Sequence, residues 1–306
     1  MELGEFGIWW SGWQEGDPIE EFAGELEELG YGTIWLSGGF KPGLSSRFER
    51  LLAATTHTTV ASGIINTWFT PAAELAEAVR SLDGRFSGRF LLGLGVSHAV
   101  LIEREGRSYE RPFSQMVGFL DQLDAASPTV PKERRVLAAL GRRMLGVAAS
   151  RSLGAHPYFV TTEHTVFARS VLGEGPLLAP EVAVVMSADA SAARELARGY
   201  MVGYLSLPNY VNNLRNTGWA EEDVTGGGSD LPDRQVLGLG GCDDFGPSAG
   251  RSAGHRHRRA AMSRWWRGRR PVPEVSDALE ILVPSNLTAG IPHPQLAQHR
   301  IHGRRG

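Results

Sequence analysis

Ser62-Gly63-Ile64-Ile65-Asn66 closes the apolar run Thr59 to Ile65. A short β-branched and apolar run bounded by polar residues has the pattern of a strand buried on both faces. A glycine inside such a strand marks a bulge, or a point where a ligand or another backbone comes close. Read alone, Gly63 is equally an ordinary buried glycine, so the surrounding chain must decide.

Working outward, Phe6 to Trp10 and Thr33 to Leu36 read as strands. Between them lies a helix with Asp17 as N-cap and Pro18 at its first position, and with Ile19, Phe22, Ala23, Leu26 and Leu29 on one face. Phe48 to Thr55 reads as a helix, Pro71 to Leu82 as a helix capped by Thr70, and Phe90 to Val96 as a strand. After a long connection come strand Val136 to Leu140, helix Arg142 to Leu153, strand Ala155 to Val160, helix Thr165 to Leu172, strand Val182 to Ser187 and a long helix from Ser191. Strand-helix alternation of this length predicts an α/β protein with a parallel sheet, closed as a TIM (β/α)8 barrel rather than left open. The last β/α unit is atypical, and Leu279 to Val283 is the later candidate for its strand.

Two further stretches, Arg89-Phe90-Leu91-Leu92-Gly93-Leu94-Gly95-Val96-Ser97-His98 and Ala155-His156-Pro157-Tyr158-Phe159-Val160, follow Ser62 to Asn66 in order. Together they resemble the luciferase-like flavin and deazaflavin oxidoreductases, most of all the actinobacterial branch that uses coenzyme F420. The resemblance covers about residues 5 to 235. It implies a bacterial luciferase-like barrel over residues 1 to 245 and hydride transfer between F420 and a small organic substrate. It also implies a cis Gly63-Ile64 bond beneath the deazaflavin. An FMN-dependent monooxygenase of the same fold is the alternative cofactor reading, and a catalytically silent cofactor-binding or interaction protein is the alternative of another class. A sugar-phosphate dehydrogenase is set aside: that branch has an Asp-His pair where this chain has Gly38 and Gly39, and a carboxylate where it has Val96.

In such a barrel, chemistry gathers on the loops at the C-terminal ends of the strands. This points to Ser62, Gly63, Ile64 and Asn66, to Gly95 and Ser97, and to Tyr158 as cofactor-binding residues, with His98 as the catalytic candidate. Gly93-Leu94-Gly95 lacks the continuation of a dinucleotide fingerprint. Gly141-Arg142-Arg143 opens a helix, where free amides and the positive dipole end make an anion site, and the resemblance implies that the coenzyme phosphate lies near it. The two arginines read equally as phosphate contacts or solvated side chains. Thr161 or Thr162 caps the helix that follows. Pro208-Asn209-Tyr210 reads as the end of the long helix.

The chain has 306 residues, 42% of them apolar, and a net charge of -3. That suffices for a sizeable core and provides no long-range field toward nucleic acid or anionic membrane. Cys242 is the single cysteine, which rules out an internal disulfide and a thiolate zinc cluster and suits a cytoplasmic location. His255-Arg256-His257 has no companions at metal-ligand spacing, so no metal is expected. Lysine occurs only at Lys41 and Lys132, and every other basic residue is arginine. From Gly246 to Pro273 there is no Asp or Glu, and Arg251 to Arg270 holds eight arginines. The segment 246 to 306 therefore reads as anomalous, as a shifted reading frame, a decayed terminus or a basic nucleic-acid segment, and its end from Pro284 as disordered. Trp9, Trp10, Trp13 and Trp68 suit an aromatic pocket, a homodimer contact or core packing.

Overall fold

The computed structural model describes residues 1–10, 18–38, 45–186, 189–225 and 237–240. Its main sheet is parallel and runs in chain order through β1 (Gly7–Trp10), β2 (Thr33–Leu36), β3 (Thr59–Ser62), β5 (Phe90–Gly95), β6 (Arg135–Leu137), β7 (Gly154–Ala155) and β8 (Leu177–Leu178), with β4 (Ile65–Asn66) pairing β5. Each strand lies beside its predecessor, and this is the winding of a curled barrel. A doubly wound open sheet would reverse its order at a switch point. β9 (Ala183–Met186) continues the chain from β8 and pairs in parallel with β10 (Leu237–Gly240), from Leu237 opposite Ala183 to Gly240 opposite Met186.

β10 corrects the reading of the eighth unit, since a strand forms well before Leu279. Its Leu-Gly-Leu-Gly pattern is too short and too rich in glycine to be recognised by periodicity. Leu279 to Val283, the arginine-rich segment and the rest of 246 to 306 lie outside the described residues, as do Asp17, Trp13, Gly39 and Ser187.

The helices alternate with the strands: α1 (Ile19–Glu28), α2 (Ser45–Ala53), α3 (Ala72–Arg85), α6 (Arg142–Arg151), α7 (Thr162–Leu172) and α8 (Ala190–Leu205). They cover β2, β3 and β5, which are buried at every residue. The long connection contains α4 (Ala99–Arg104) and α5 (Pro112–Ala125). Pro112 at the start of α5, and Met116, Phe119, Leu120 and Leu123 on its buried face, carried the helix signal that a reading as connection passed over. Thr70 does not cap α3, whose N-cap is Pro71 with no side-chain bond. Thr161 does cap α7, its hydroxyl accepting from the His164 amide. Pro208 does not end α8 but opens α9 (Pro208–Asn216), which is followed by α10 (Glu221–Val224). Phe159, Tyr200, Tyr204, Tyr210, Val211 and Leu214 join these last helices into a second apolar cluster.

At the N-terminal ends of the strands the polar side chains hold the frame rather than a ligand. Arg89 donates to the carbonyls of Leu52, Thr55 and Thr58 at 2.7, 3.0 and 3.0 Å, fastening the end of α2 to the start of β5. Glu27 on α1 accepts from the amides of Thr56, His57 and Thr58 at 2.9, 2.9 and 2.8 Å, and from the hydroxyls of Thr56 and Thr58 at 2.7 and 2.8 Å. Burial raises its pKa, but these donors outweigh burial and hold the carboxyl well below the usual range. Glu27→Ala should cost about 2 kcal/mol of unfolding free energy, because donors at the start of β3 lose a charged acceptor. A depressed folded pKa stabilises above the unfolded value of about 4 and is lost as the pH falls through the folded value. The gap between the two proteins, followed by urea unfolding, should therefore narrow below about pH 4.

Candidate active site

A cavity of about 330 Å³ opens at the C-terminal ends of the strands. Trp9, Ser37, Gly63 with Ile64, Gly95 to His98, Ala138 to Gly141, His156 with Tyr158, and Glu181 line it from the ends of β1, β2, β3, β5, β6, β7 and β8. Tyr204 of α8 and Asn209 with Tyr210 of α9 complete the wall. The volume lies near the lower end of the roughly 300–1,000 Å³ of ligand pockets, enough for a ring system and a small partner but not for a long coenzyme tail.

The floor is built where β3 breaks. The Gly63-Ile64 peptide bond is cis, as the resemblance implied. Each group of this bulge is held: the Gly63 amide donates to the Leu36 carbonyl at 2.8 Å, and the Gly63 carbonyl accepts from Trp9 Nε1 at 2.7 Å. The Ile64 carbonyl accepts from the Gly38 amide at 3.2 Å. A Cβ on Gly63 would lie 2.5 Å from Trp9 Nε1 and 3.3 Å from His156 Nε2, so the absent side chain makes room for Trp9 and His156. A Cβ on Gly95 would lie 2.6 Å from Ile64 Cδ1, which the bare β5 backbone accommodates.

Several polar atoms reach this floor without a partner. Asn66 Oδ1 accepts from the Trp68 amide at 2.9 Å, while Asn66 Nδ2 is buried and unpaired. His156 stacks on Trp35 at 4.1 Å between ring centroids and bonds the Ala179 carbonyl through Nδ1 at 2.7 Å. Its Nε2 is buried and unpaired, 3.8 Å from Glu181 Oε2. Burial pushes the His156 imidazole down to about 4. Burial also raises Glu181 well above the carboxylate range. Burial thus disfavours the charged form of each: the neutral imidazole with its proton on Nδ1 leaves Nε2 as an acceptor, and the uncharged form of Glu181 is a carboxylic acid. Tyr158 stacks on Trp9 with ring centroids 6.2 Å apart, and its buried hydroxyl is also unpaired.

Of the residues expected from sequence, Gly63, Ile64, Asn66, Gly95, Ser97, His98, Gly141 and Tyr158 meet around this one cavity. Ser62 turns away: its hydroxyl accepts from the Gly93 amide at 2.7 Å and donates to the Gly93 carbonyl at 2.9 Å, clamping β3 to β5. Arg142 and Arg143 are exposed and lie over the rings of Phe167 and Phe113, at 5.3 and 4.0 Å. Gly141 is the N-cap of α6 and has no side chain with which to cap it, so the first amides of the helix are left at the cavity edge. His98 Nδ1 is 3.0 Å from Asn209 Oδ1, and burial lowers its pKa. Sequence reading missed Glu181 and His156 as a pair and placed Asn209 and Tyr210 at a helix end. Pro208 at the start of a second helix was the available signal for α9.

Residues 10–236 match the family model described as luciferase-like monooxygenase, and the chain belongs to that family. An F420-dependent secondary alcohol dehydrogenase in complex with an F420-acetone adduct superposes with a TM-score of 0.60 at 13% identity, over 96% of this chain and 100% of that one. The structure of apo-MsnO8 gives 0.55 at 17% identity, over 78% and 86% of the two chains. A coenzyme F420 dependent tetrahydromethanopterin reductase from Methanopyrus kandleri gives 0.54 at 15% identity, over 66% and 73%. At these identities the likeness concerns the fold. No curated protein matches the chain. Among the described residues no helix is long and apolar enough to cross a membrane, and no group of three or more His, Cys, Asp or Glu side chains is placed to hold a metal ion.

Proposed function

We propose that the protein is an F420-dependent oxidoreductase that passes hydride between a deazaflavin and a small organic substrate. The observation that carries this reading is the cavity itself: a largely apolar floor of Ile64, Gly95, Ala138 and Ala139, bordered by the unpaired Asn66 Nδ2, at the catalytic end of a luciferase-like barrel. A flat, polar-edged ring suits such a floor, so the residues fit the group. Once bound, the deazaflavin supplies the hydride chemistry. The protein supplies position and exclusion of water. Trp9 and Gly38 fix the two carbonyls of the bulge, leaving that backbone unable to shift under a ring. Asn66 Nδ2 offers a donor to a ring oxygen. The first amides of α6 suit a phosphate, and the tail beyond it must leave through the opening because the cavity is too small to hold it. His98, held by Asn209, is neutral and stands above the floor as an acid-base candidate.

FMN is the second reading, favoured by the monooxygenase description of the family. Separate fluorescence titrations decide between them: F420 is expected to bind at least tenfold more tightly than FMN, a difference of about 1.4 kcal/mol, and the reverse order would transfer the assignment to FMN. A riboside lacking the phosphate should bind about tenfold more weakly than the intact coenzyme if α6 holds that group. Arg142→Ala and Arg143→Ala should each change these affinities by less than about threefold, because both guanidinium groups sit on aromatic rings outside the cavity lining. A large, phosphate-dependent loss in either variant would show that the arginine swings in to take the phosphate.

A further inference from the structure

Glu181 takes no part in holding the fold through its side chain, yet its position is tightly set. Its amide donates to the Pro157 carbonyl at 2.9 Å, and its backbone bridges Tyr158 in parallel, so the carboxyl projects from beside the His156-Tyr158 segment into the cavity. The groups that face it from the packed elements are His156, Tyr204 of α8 and Tyr210 of α9, with Tyr158 as its bridge partner. Burial raises the phenols of Tyr204 and Tyr210. No Arg or Lys is among the described residues lining the cavity. Among the described lining residues a carboxylate here has no Arg or Lys beside it, whereas a carboxylic acid has an unpaired imidazole nitrogen 3.8 Å away and an open space in front of it.

We propose that Glu181 is the proton donor of this cavity, protonating the oxygen of an uncharged carbonyl compound as that compound is reduced, with His156 as a positioning residue. The inference rests on the oxidoreductase reading above and adds to it the acid and the substrate class. An anionic substrate would meet no Arg or Lys among the described lining residues, and the walls of Trp9, Tyr158, Tyr204 and Tyr210 favour a flat apolar body. In the step, the carbonyl carbon receives hydride with its electron pair from the reduced cofactor, and the π pair of the C=O bond moves to oxygen. That oxygen forms its O–H bond with the proton of Glu181, whose own O–H bond breaks to leave a carboxylate. The substrate becomes an alcohol, the cofactor is oxidised by two electrons, and the carboxylate recovers a proton from water as the product leaves. The Nδ1 bond of His156 to the Ala179 carbonyl leaves Nε2 as an acceptor facing the acid, 3.8 Å from it.

The test has two arms on the full chain. Infrared difference spectra of the cofactor-free protein at pH 7 should contain a carboxylic-acid C=O band that disappears in Glu181→Gln, and absence of such a band overturns the proposal. In single turnovers with the reduced cofactor and benzaldehyde as probe, Glu181→Gln should lose about a hundredfold or more in rate while its cofactor affinity stays within about twofold. Glu181→Asp should fall between the two. A rate unchanged in Glu181→Gln overturns the assignment of the acid, and benzaldehyde left unreduced by the parent protein with bound reduced cofactor overturns the substrate class. If F420 fails to bind and FMN binds, the cofactor reading fails by itself. The turnovers are then run with reduced FMN without oxygen and judge Glu181 by the same two outcomes.

Discussion

Gly63→Val should lower cofactor affinity at least tenfold, about 1.4 kcal/mol, in a protein that stays folded. The first added carbon would lie 2.5 Å from Trp9 Nε1 and 2.7 Å from its Cδ1, well inside contact distance. The indole must swing away, which breaks its 2.7 Å bond to the Gly63 carbonyl and removes the face on which Tyr158 stacks. Both displaced rings line the cavity, and His156 is 3.3 Å from the same added carbon. Because Trp9 has the cavity to move into, the strain can be relieved there and the loss falls on binding. Titration of F420 and of FMN against the variant checks this, with circular dichroism confirming the fold. Full affinity in a folded variant would remove Gly63 from the site.

Gly93→Ala should have the opposite profile, a loss of about 3 kcal/mol or more in unfolding free energy. Here the added carbon would lie 1.8 Å from the carbonyl oxygen of Ser62 and 3.0 Å from its carbonyl carbon. These are backbone atoms of a neighbouring buried strand and cannot rotate aside. β3 and β5 would have to separate, and the two bonds between the Ser62 hydroxyl and the Gly93 backbone would be lost with them. Urea unfolding measures the change, and a midpoint close to that of the parent would show that the strands can part at little cost.

These two glycines show where reading the chain succeeded and where it stopped. Alternating short apolar runs and amphipathic stretches were enough for a parallel α/β barrel, because strand and helix periods are local properties of the chain. The run ending in Ser62-Gly63-Ile64-Ile65-Asn66 pointed to a site only together with the later stretches around Gly95 and His156, because a glycine in a buried strand can equally be plain packing. Ser62 shows the limit: a hydroxyl at the end of a strand has the same sequence signature whether it faces a ligand or the neighbouring strand, and only the register of β3 against β5 sends it to Gly93. Arg142 and Arg143 were ambiguous for the same reason, since the rings they lie on come from α7 and α5.

What the sequence determined by itself was the class of fold, the end of the barrel that carries the chemistry, and the neighbourhood of Gly63, Asn66, Gly95, His98 and Tyr158. Only the tertiary structure decided which polar groups act together. Glu181 and His156 are 25 residues apart, with no motif that links them, and they meet because β7 and β8 are adjacent parallel strands whose ends open on the same cavity. The same packing disfavours the charged form of both groups. Desolvation is a property of everything that surrounds a side chain, so no pattern of neighbours along the chain could have disclosed it.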